Sequence, residues 1–192
     1  THHFVIGDAL LTALQSMVIL KLVADDAVIT GDVTIGKNVT IWFQTIIRGD
    51  VAPIRIGAGT NIQDSSMVHC EYQCEQVIEE NIVVGHKAIL HGKQVGAGTL
   101  IGMGAILLSG SIIGEECIIA AGAVVRQNEK IPRRSMLAGV PAKIIREVTE
   151  EDLKISRAIS LRYIELGQKY AQGQFQWNNR NHRMAAYPVK GI

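Results

Sequence analysis

Aliphatic residues recur every six positions through most of this chain, and that period limits the fold more than any other feature. The series runs Val23, Ile29, Ile35, Ile41 and Ile47, passes a three-residue insertion, and continues at Ile56, Ile62 and Val68. After a longer loop it resumes at Ile78, Val84 and Leu90. One residue is then dropped, and it goes on through Val95, Ile101, Leu107, Ile113, Ile119, Val125, Ile131 and Leu137. Four residues after most of these stands a small or β-branched residue, among them Val39, Thr45, Thr60, Ala88, Thr99, Ala105, Cys117 and Ala123. Gly often follows the aliphatic position directly, as in Ile56-Gly57 and Ile113-Gly114. A helix needs apolar residues every three or four positions and an amphipathic strand needs alternation, so a strict six fits neither alone. It is the mark of a parallel β-helix, in which each six-residue unit is a short strand plus a turn and three units close one triangular coil. The aliphatic positions then stack into ladders inside a prism, and each coil buries the last. Residues 22–145 are assigned to this all-β solenoid, and Cys117 is read as core because it takes a small inward position.

The flanks read differently. Thr149-Glu150-Glu151-Asp152 looks like a capping-box variant opening a helix over 149–172. Ile155, Ile159, Tyr163, Leu166 and Tyr170 are its expected apolar face, Gly173 its expected stop, and the prism the surface it packs along. Residues 173–192 form a polar tail, and residues 1–21 a lead-in or tag remnant that starts Thr1-His2-His3. The apolar run from Ala9 to Leu20 is too short for a bilayer and has Asp8, not basic residues, before it, so no membrane partner and no signal peptide are expected. With 19 basic and 18 acidic residues there is no basic stripe for nucleic acid. Three cysteines, an odd number, fit a reducing cytoplasmic setting better than a disulfide scaffold.

Counting faces brings the histidines into relation. If every third unit shares a face, those starting at Ile47, Val68 and Leu90 lie together, and Arg48, His69 and His91 stack just after them. Neighbouring coils are about 4.8 Å apart, so His69 and His91 can reach one metal at about 2.0–2.1 Å per ligand. His86 falls on the preceding face, directly above Asp64, and cannot easily turn back to the other two. A cyclic homo-oligomer could supply it from a neighbouring subunit, and three-fold symmetry suits a triangular prism. Three imidazoles with one open position make a catalytic zinc arrangement, which lowers the pKa of a water to about 7.

Arg48-Gly49-Asp50, Asn61-Ile62-Gln63-Asp64 followed by His69, Val84-Gly85-His86 with Leu90-His91-Gly92, Gly102-Met103-Gly104 and Ala138-Gly139-Val140-Pro141-Ala142-Lys143 together resemble the γ-class carbonic anhydrases. The resemblance covers roughly residues 23–173. It implies a left-handed β-helix, a homotrimer, and at each subunit interface a metal, usually Zn2+ and in some members Fe2+ or Co2+. Carried over, His69 and His91 come from one subunit and His86 from the next. Gln63 would hold the hydroxide or the bicarbonate product. Arg48 and Asp50 would orient the interface by ion pairing, with Asp64 a partner of Arg48. Tyr163 is similar to a tyrosine that reaches the site, or else packs on the helix face. The implied reaction is hydroxide attack on CO2 to give bicarbonate, followed by loss of a proton. Here the sequence departs from the family pattern, with Val51 where a glutamate is usual and a short loop, 70–77, in place of a longer acidic one. Glu71 and Glu75 are the replacement candidates for carrying the proton.

Other readings stand beside this one. They are a hexapeptide-repeat acyltransferase using coenzyme A, a metal-binding trimer without catalysis, and a small ester or thioester hydrolase. Arg48-Gly49-Asp50 spells an adhesion tripeptide but within a strand is read as structural. Cys70 and Cys74 beside His69 match no usual zinc spacing. Trp42 and Phe43 are expected to face outward, over an interface or the surface.

Overall fold

The computed structural model describes residues 22–175 as a parallel β-solenoid of about six turns with one C-terminal helix. The three faces follow the period of six. The first stacks the strands at Leu22–Val23, Thr40–Ile41, Asn61–Ile62, Val83–Val84, Leu100–Ile101, Ile118–Ile119 and Ser135–Ala138, with Lys143–Glu147 added antiparallel at the end. The second carries Ile29, Ile47, Val68, Leu90, Leu107 and Val125 inward, and the third Ile35, Ile56, Ile78, Val95, Ile113 and Ile131. Val28–Ile35 and Ile46–Ile56 run unbroken from the second face to the third, and the inserted residues are absorbed by a register shift between Gly31 and Val33.

Inward residues are sealed: Ile41, Ile47, Ile62, Val68, Val84, Leu90, Ile101, Leu107, Ile119, Val125 and Leu137 have no exposed surface. The small residue four positions on is equally buried, and where it is polar it bonds across the coils. Thr45 Oγ1 donates to the Gln63 carbonyl at 3.1 Å, and Thr60 Oγ1 to that of Glu79 at 2.9 Å. Glycine follows the aliphatic residue for a steric reason. A Cβ on Gly57 would stand 2.5 Å from the Glu79 carbonyl carbon, and one on Gly114 2.5 Å from the Arg133 nitrogen, so consecutive corners touch backbone to backbone. The residue two further on turns the chain in the left-handed region, with φ of 56° at Asn38 and Asn81 and 71° at Gly59.

The helix, Glu150–Ala171, opens on the expected capping box. Thr149 Oγ1 accepts from Asp152 N at 3.2 Å, and Asp152 Oδ2 accepts from Thr149 N at 2.9 Å. It ends before Gly173, whose φ is 72°. Its buried face, however, is Leu153, Ser156, Ser160 and Gly167, while Ile155, placed inward by the apolar spacing, is exposed. Small residues win that face because the helix lies directly on the first sheet. A Cβ on Gly167 would come within 2.5 Å of Thr40 Cγ2, and Ser160 Oγ donates to the Gly59 carbonyl at 3.1 Å. Trp42 faces out of the prism as expected, but it is covered and only 3% exposed. Tyr163 and Tyr170 close over it edge-on, with centroids at 5.4 and 5.2 Å, and its Nε1 donates to Thr40 Oγ1 at 3.0 Å. Among the described residues no helix is long and apolar enough to cross a membrane. The readings for residues 1–21 and for the tail beyond Phe175 lie outside the described residues.

Candidate metal centre

Ladder register places the histidines. Arg48 pairs with His69 across neighbouring strands, and Val68 with Leu90, so His69 and His91 leave the same corner on successive coils. Their ring centroids are 5.1 Å apart at 61°. Each ring has one nitrogen held by a neighbouring side-chain oxygen. His69 Nε2 lies 3.3 Å from Asp50 Oδ1, and His91 Nδ1 lies 3.0 Å from Ser109 Oγ. A ring nitrogen that donates leaves the other as a lone pair. Those remaining atoms, His69 Nδ1 and His91 Nε2, face each other at 3.1 Å, and Arg48 Nη2 lies 3.5 Å from His69 Nδ1, so the guanidinium must swing aside for a cation to sit there. Two ligand nitrogens on a tetrahedral zinc at 2.0–2.1 Å stand about 3.3 Å apart, so this donor pair fits a metal with little adjustment. A cation between them also removes the repulsion of the facing lone pairs.

His86 is elsewhere, as the face count requires. Val84 stacks on Ile62, which sets His86 over Asp64, and His86 Nδ1 meets Asp64 Oδ2 at 2.8 Å with Nε2 left over. Its side chain is 41% exposed, against 16% for His69. Among the described residues of one chain, no group of three or more His, Cys, Asp or Glu comes together in a metal-holding arrangement.

The remaining candidates divide between these two corners. At the His69 corner Arg48 Nη1 binds Asp50 Oδ2 at 2.7 Å, and the guanidinium holds the Asp50 carboxyl below its usual range. The expected pairing of Arg48 with Asp64 is not made within the chain, because the two residues follow different faces. Gly49 is close-packed, since a Cβ there would stand 2.6 Å from the Asp32 carbonyl oxygen, so the Arg-Gly-Asp run is structural. Glu71 bonds the Ser109 hydroxyl and the Tyr72 amide, which hold its carboxyl below the ordinary value with help from His91 and His69. Glu75 is drawn away instead, its Oε1 accepting from Arg55 Nε at 3.1 Å in a network with Asp32 and Thr34. Cys70 is buried with its thiol against the Ala52 carbonyl at 3.2 Å, and burial pushes that thiol up, which removes it as a partner of Cys74 in a second metal site. At the His86 corner Gln63 is 5% exposed and its Nε2 donates to Asn61 Oδ1 at 3.0 Å. Tyr163 packs on Trp42 with its phenol pushed up, first by burial and then by the nearby Asp64 charge. The part of this arrangement that the sequence reading passed over is Ser109, whose only sequence signal is its place two residues after Leu107, the coil neighbour of Leu90.

The bare second face lies between the two corners. Its outward ladder is Val28, Ile46, Met67, Ile89, Ile106 and Val124, all apolar. Val28 is 52% exposed, and Met67 and Ile89 are 39% exposed each.

Comparison with known proteins places the chain among hexapeptide-repeat relatives. The family described as "Bacterial transferase hexapeptide (six repeats)" matches residues 92–127. A carbonic anhydrase of Geobacillus kaustophilus is 46% identical over 154 residues, which is 80% of this chain and 85% of that protein. Gamma carbonic anhydrase 1, mitochondrial, of Arabidopsis thaliana is 40% identical over 155 residues, 78% of this chain but only 56% of the plant protein's length. A solved Bacillus cereus structure, provisionally described as an acetyltransferase, superposes with a TM-score of 0.78 at 44% identity, covering 80% of this chain and 90% of that one. Taken with the repeat and the two histidine corners, these relationships show that the chain belongs to the γ-class carbonic anhydrase-like family of hexapeptide-repeat proteins.

Proposed function

We propose that this protein catalyses the reversible hydration of CO2 to bicarbonate at divalent-metal centres shared between copies of a homotrimer. His69 and His91 are the ligands from one copy and His86 the ligand from the next. The observation that carries the reading is that each of the three rings is anchored through one nitrogen, and that the second nitrogens of His69 and His91 converge at 3.1 Å, with Arg48 Nη2 3.5 Å from that of His69. The bare apolar face supports the assembly. Three prisms that turn this face toward a common axis bring the His86 corner of each against the His69 and His91 corner of its neighbour, a ring closed by one repeated contact.

When bound, a zinc ion supplies hydroxide at neutral pH, and iron or cobalt would do so with the same ligands. The chain's residues do the rest. Asp50 and Asp64 orient His69 and His86. Gln63, fixed by Asn61, has a second amide hydrogen to donate to an oxygen of CO2 or bicarbonate and a carbonyl oxygen to accept from the O–H of hydroxide or bicarbonate. Arg48, tied to Asp50, places a positive charge beside the developing anion. Tyr163 holds the Asp64 corner against the helix. Of the two expected proton carriers, only Glu71 stands beside the histidines. Acyl transfer from coenzyme A is the second reading, favoured by the description of the Bacillus cereus structure. Coenzyme A bound by metal-free protein would support it. The cytoplasm is the proposed setting, on the three thiols that stay unpaired.

Purified protein should carry about one metal per chain, have a mass near three times 20.9 kDa, about 63 kDa, and lose CO2 hydration on chelation. His69→Ala and His86→Ala should each lose the metal. Co-expressed, they should regain about one site in four, because a random trimer pairs an intact His69 corner with an intact His86 at that frequency. No metal recovered in the mixed trimers would overturn the shared site.

A further inference from the structure

The three anchors are not alike. His69 and His86 each lean on a carboxylate, Asp50 and Asp64, whereas His91 leans on the neutral hydroxyl of Ser109 at 3.0 Å. That hydroxyl has a carboxylate behind it, since Glu71 bonds it from the loop after His69. A hydroxyl has one proton to give and lone pairs to receive with. Placed between an imidazole N–H and a carboxylate, it accepts from the first and donates to the second. Other assignments fail: a carboxylate cannot donate, and if Ser109 gave its proton to His91, Glu71 would face an oxygen lone pair.

Building on the metal centre proposed above, we infer that Ser109 is a positioning residue that links Glu71 to His91. It fixes the His91 tautomer with the proton on Nδ1 and directs Nε2 at the metal. Every histidine of the centre then has a carboxylate behind it, directly for two and through one hydroxyl for the third. Such outer partners make a ligand more basic and hold its ring, and losing one typically weakens metal binding about 10- to 100-fold. The fold explains why a serine serves here. Ser109 sits in a corner turn whose next residue, Gly110, has φ of 71°, and its own carbonyl accepts from Asn128 N at 2.9 Å. The side chain is therefore held at fixed height one coil from His91, with room for a hydroxyl between ring and carboxylate.

Zinc affinity, measured by competition with a chromophoric chelator, tests this without relying on turnover. Ser109→Ala should bind zinc about 10- to 100-fold more weakly. Ser109→Thr, which keeps the hydroxyl, should stay within a few-fold of the parent. Glu71→Gln should fall between. Melting of the metal-free proteins controls for folding and should be alike. Wild-type affinity in Ser109→Ala, or equal losses in the Ala and Thr variants, would sink the positioning role. Unchanged affinity in Glu71→Gln would remove the link to the carboxylate. A parent protein that binds no zinc at all overturns the metal centre and this inference with it.

Discussion

The first and second faces of the prism are built from the same repeat and treated in opposite ways. Both present a ladder of outward side chains, but on the first face Leu22, Thr40, Asn61 and Val83 are buried beneath the chain's own helix. On the second face Val28, Met67 and Ile89 are left open, and that ladder is the wholly apolar one. The face with polar groups is covered in cis, where Ser156, Ser160 and Gly167 let the helix sit close. In the proposed assembly the apolar face is the one that another copy covers. The difference also separates the candidate site. His86 and Gln63 stand at the corner the helix braces, and His69 and His91 at the far edge of the open face.

The sharpest way to break this contrast is a charge on the open side. Ile89→Glu adds a carboxylate to a position that is 39% exposed in the single chain, so the solenoid should fold. Three such charges brought to one axis should abolish association. Light scattering should report 20.9 kDa in place of a trimer mass, and bound metal should vanish because no chain holds the full set. A monomer that retains stoichiometric zinc would refute the division between faces.

The converse substitution strikes the covered side. Trp42→Ala removes the ring on which Tyr163 and Tyr170 pack, and truncating a buried tryptophan costs about 3–5 kcal/mol. Thermal unfolding should fall by roughly ten degrees, at about 2–4 °C per kcal/mol for a chain of this size. The His69 corner should keep its geometry, so metal loss should follow the melting of the helix and not precede it. Metal loss with no change in melting would mean that the helix acts on the site by some other route.

The inward half of this structure is legible in the sequence and the outward half is not, for one physical reason. Ile47, Val68 and Leu90 repeat because each meets the same neighbour in every coil, so their period reports the fold, and with it the stacking of His69 on His91. Outward residues answer to whatever covers them, which a local pattern does not encode. The repeat places Trp42 at the surface, yet it lies under the helix. Helical spacing places Ile155 inward, yet it points out, because on a flat sheet close approach selects Ser156 and Gly167 over bulk. Family likeness gives Asp64 as a partner of Arg48 at an interface, and within one chain Arg48 binds Asp50, two residues along the same strand, while Asp64 meets His86. The proposed division of the site between copies lies on no line of the repeat, and neither does the serine behind His91.

The smallest effect tests how the helix is fastened to the first face. Asp152 closes the capping box and also accepts from Arg146, with 2.6 and 3.0 Å contacts. The Arg146 guanidinium, then the Thr149 amide and hydroxyl, hold its carboxyl far below the ordinary value of about 3.9. A folded-state pKa below the unfolded one contributes stability that is complete above the unfolded value and fades as pH falls toward the folded one. Asp152→Asn keeps an oxygen for Thr149 and deletes the charge together with the second acceptor for Arg146. In the Ile89→Glu background, where association does not enter, the chain that keeps Asp152 should melt slightly above the one carrying Asp152→Asn. That gap should be constant from neutral pH down to about 5 and should narrow steadily below about 4. No gap at neutral pH would mean that the helix is held by packing on Thr40 and Trp42 alone. The cap would then only mark where the helix begins.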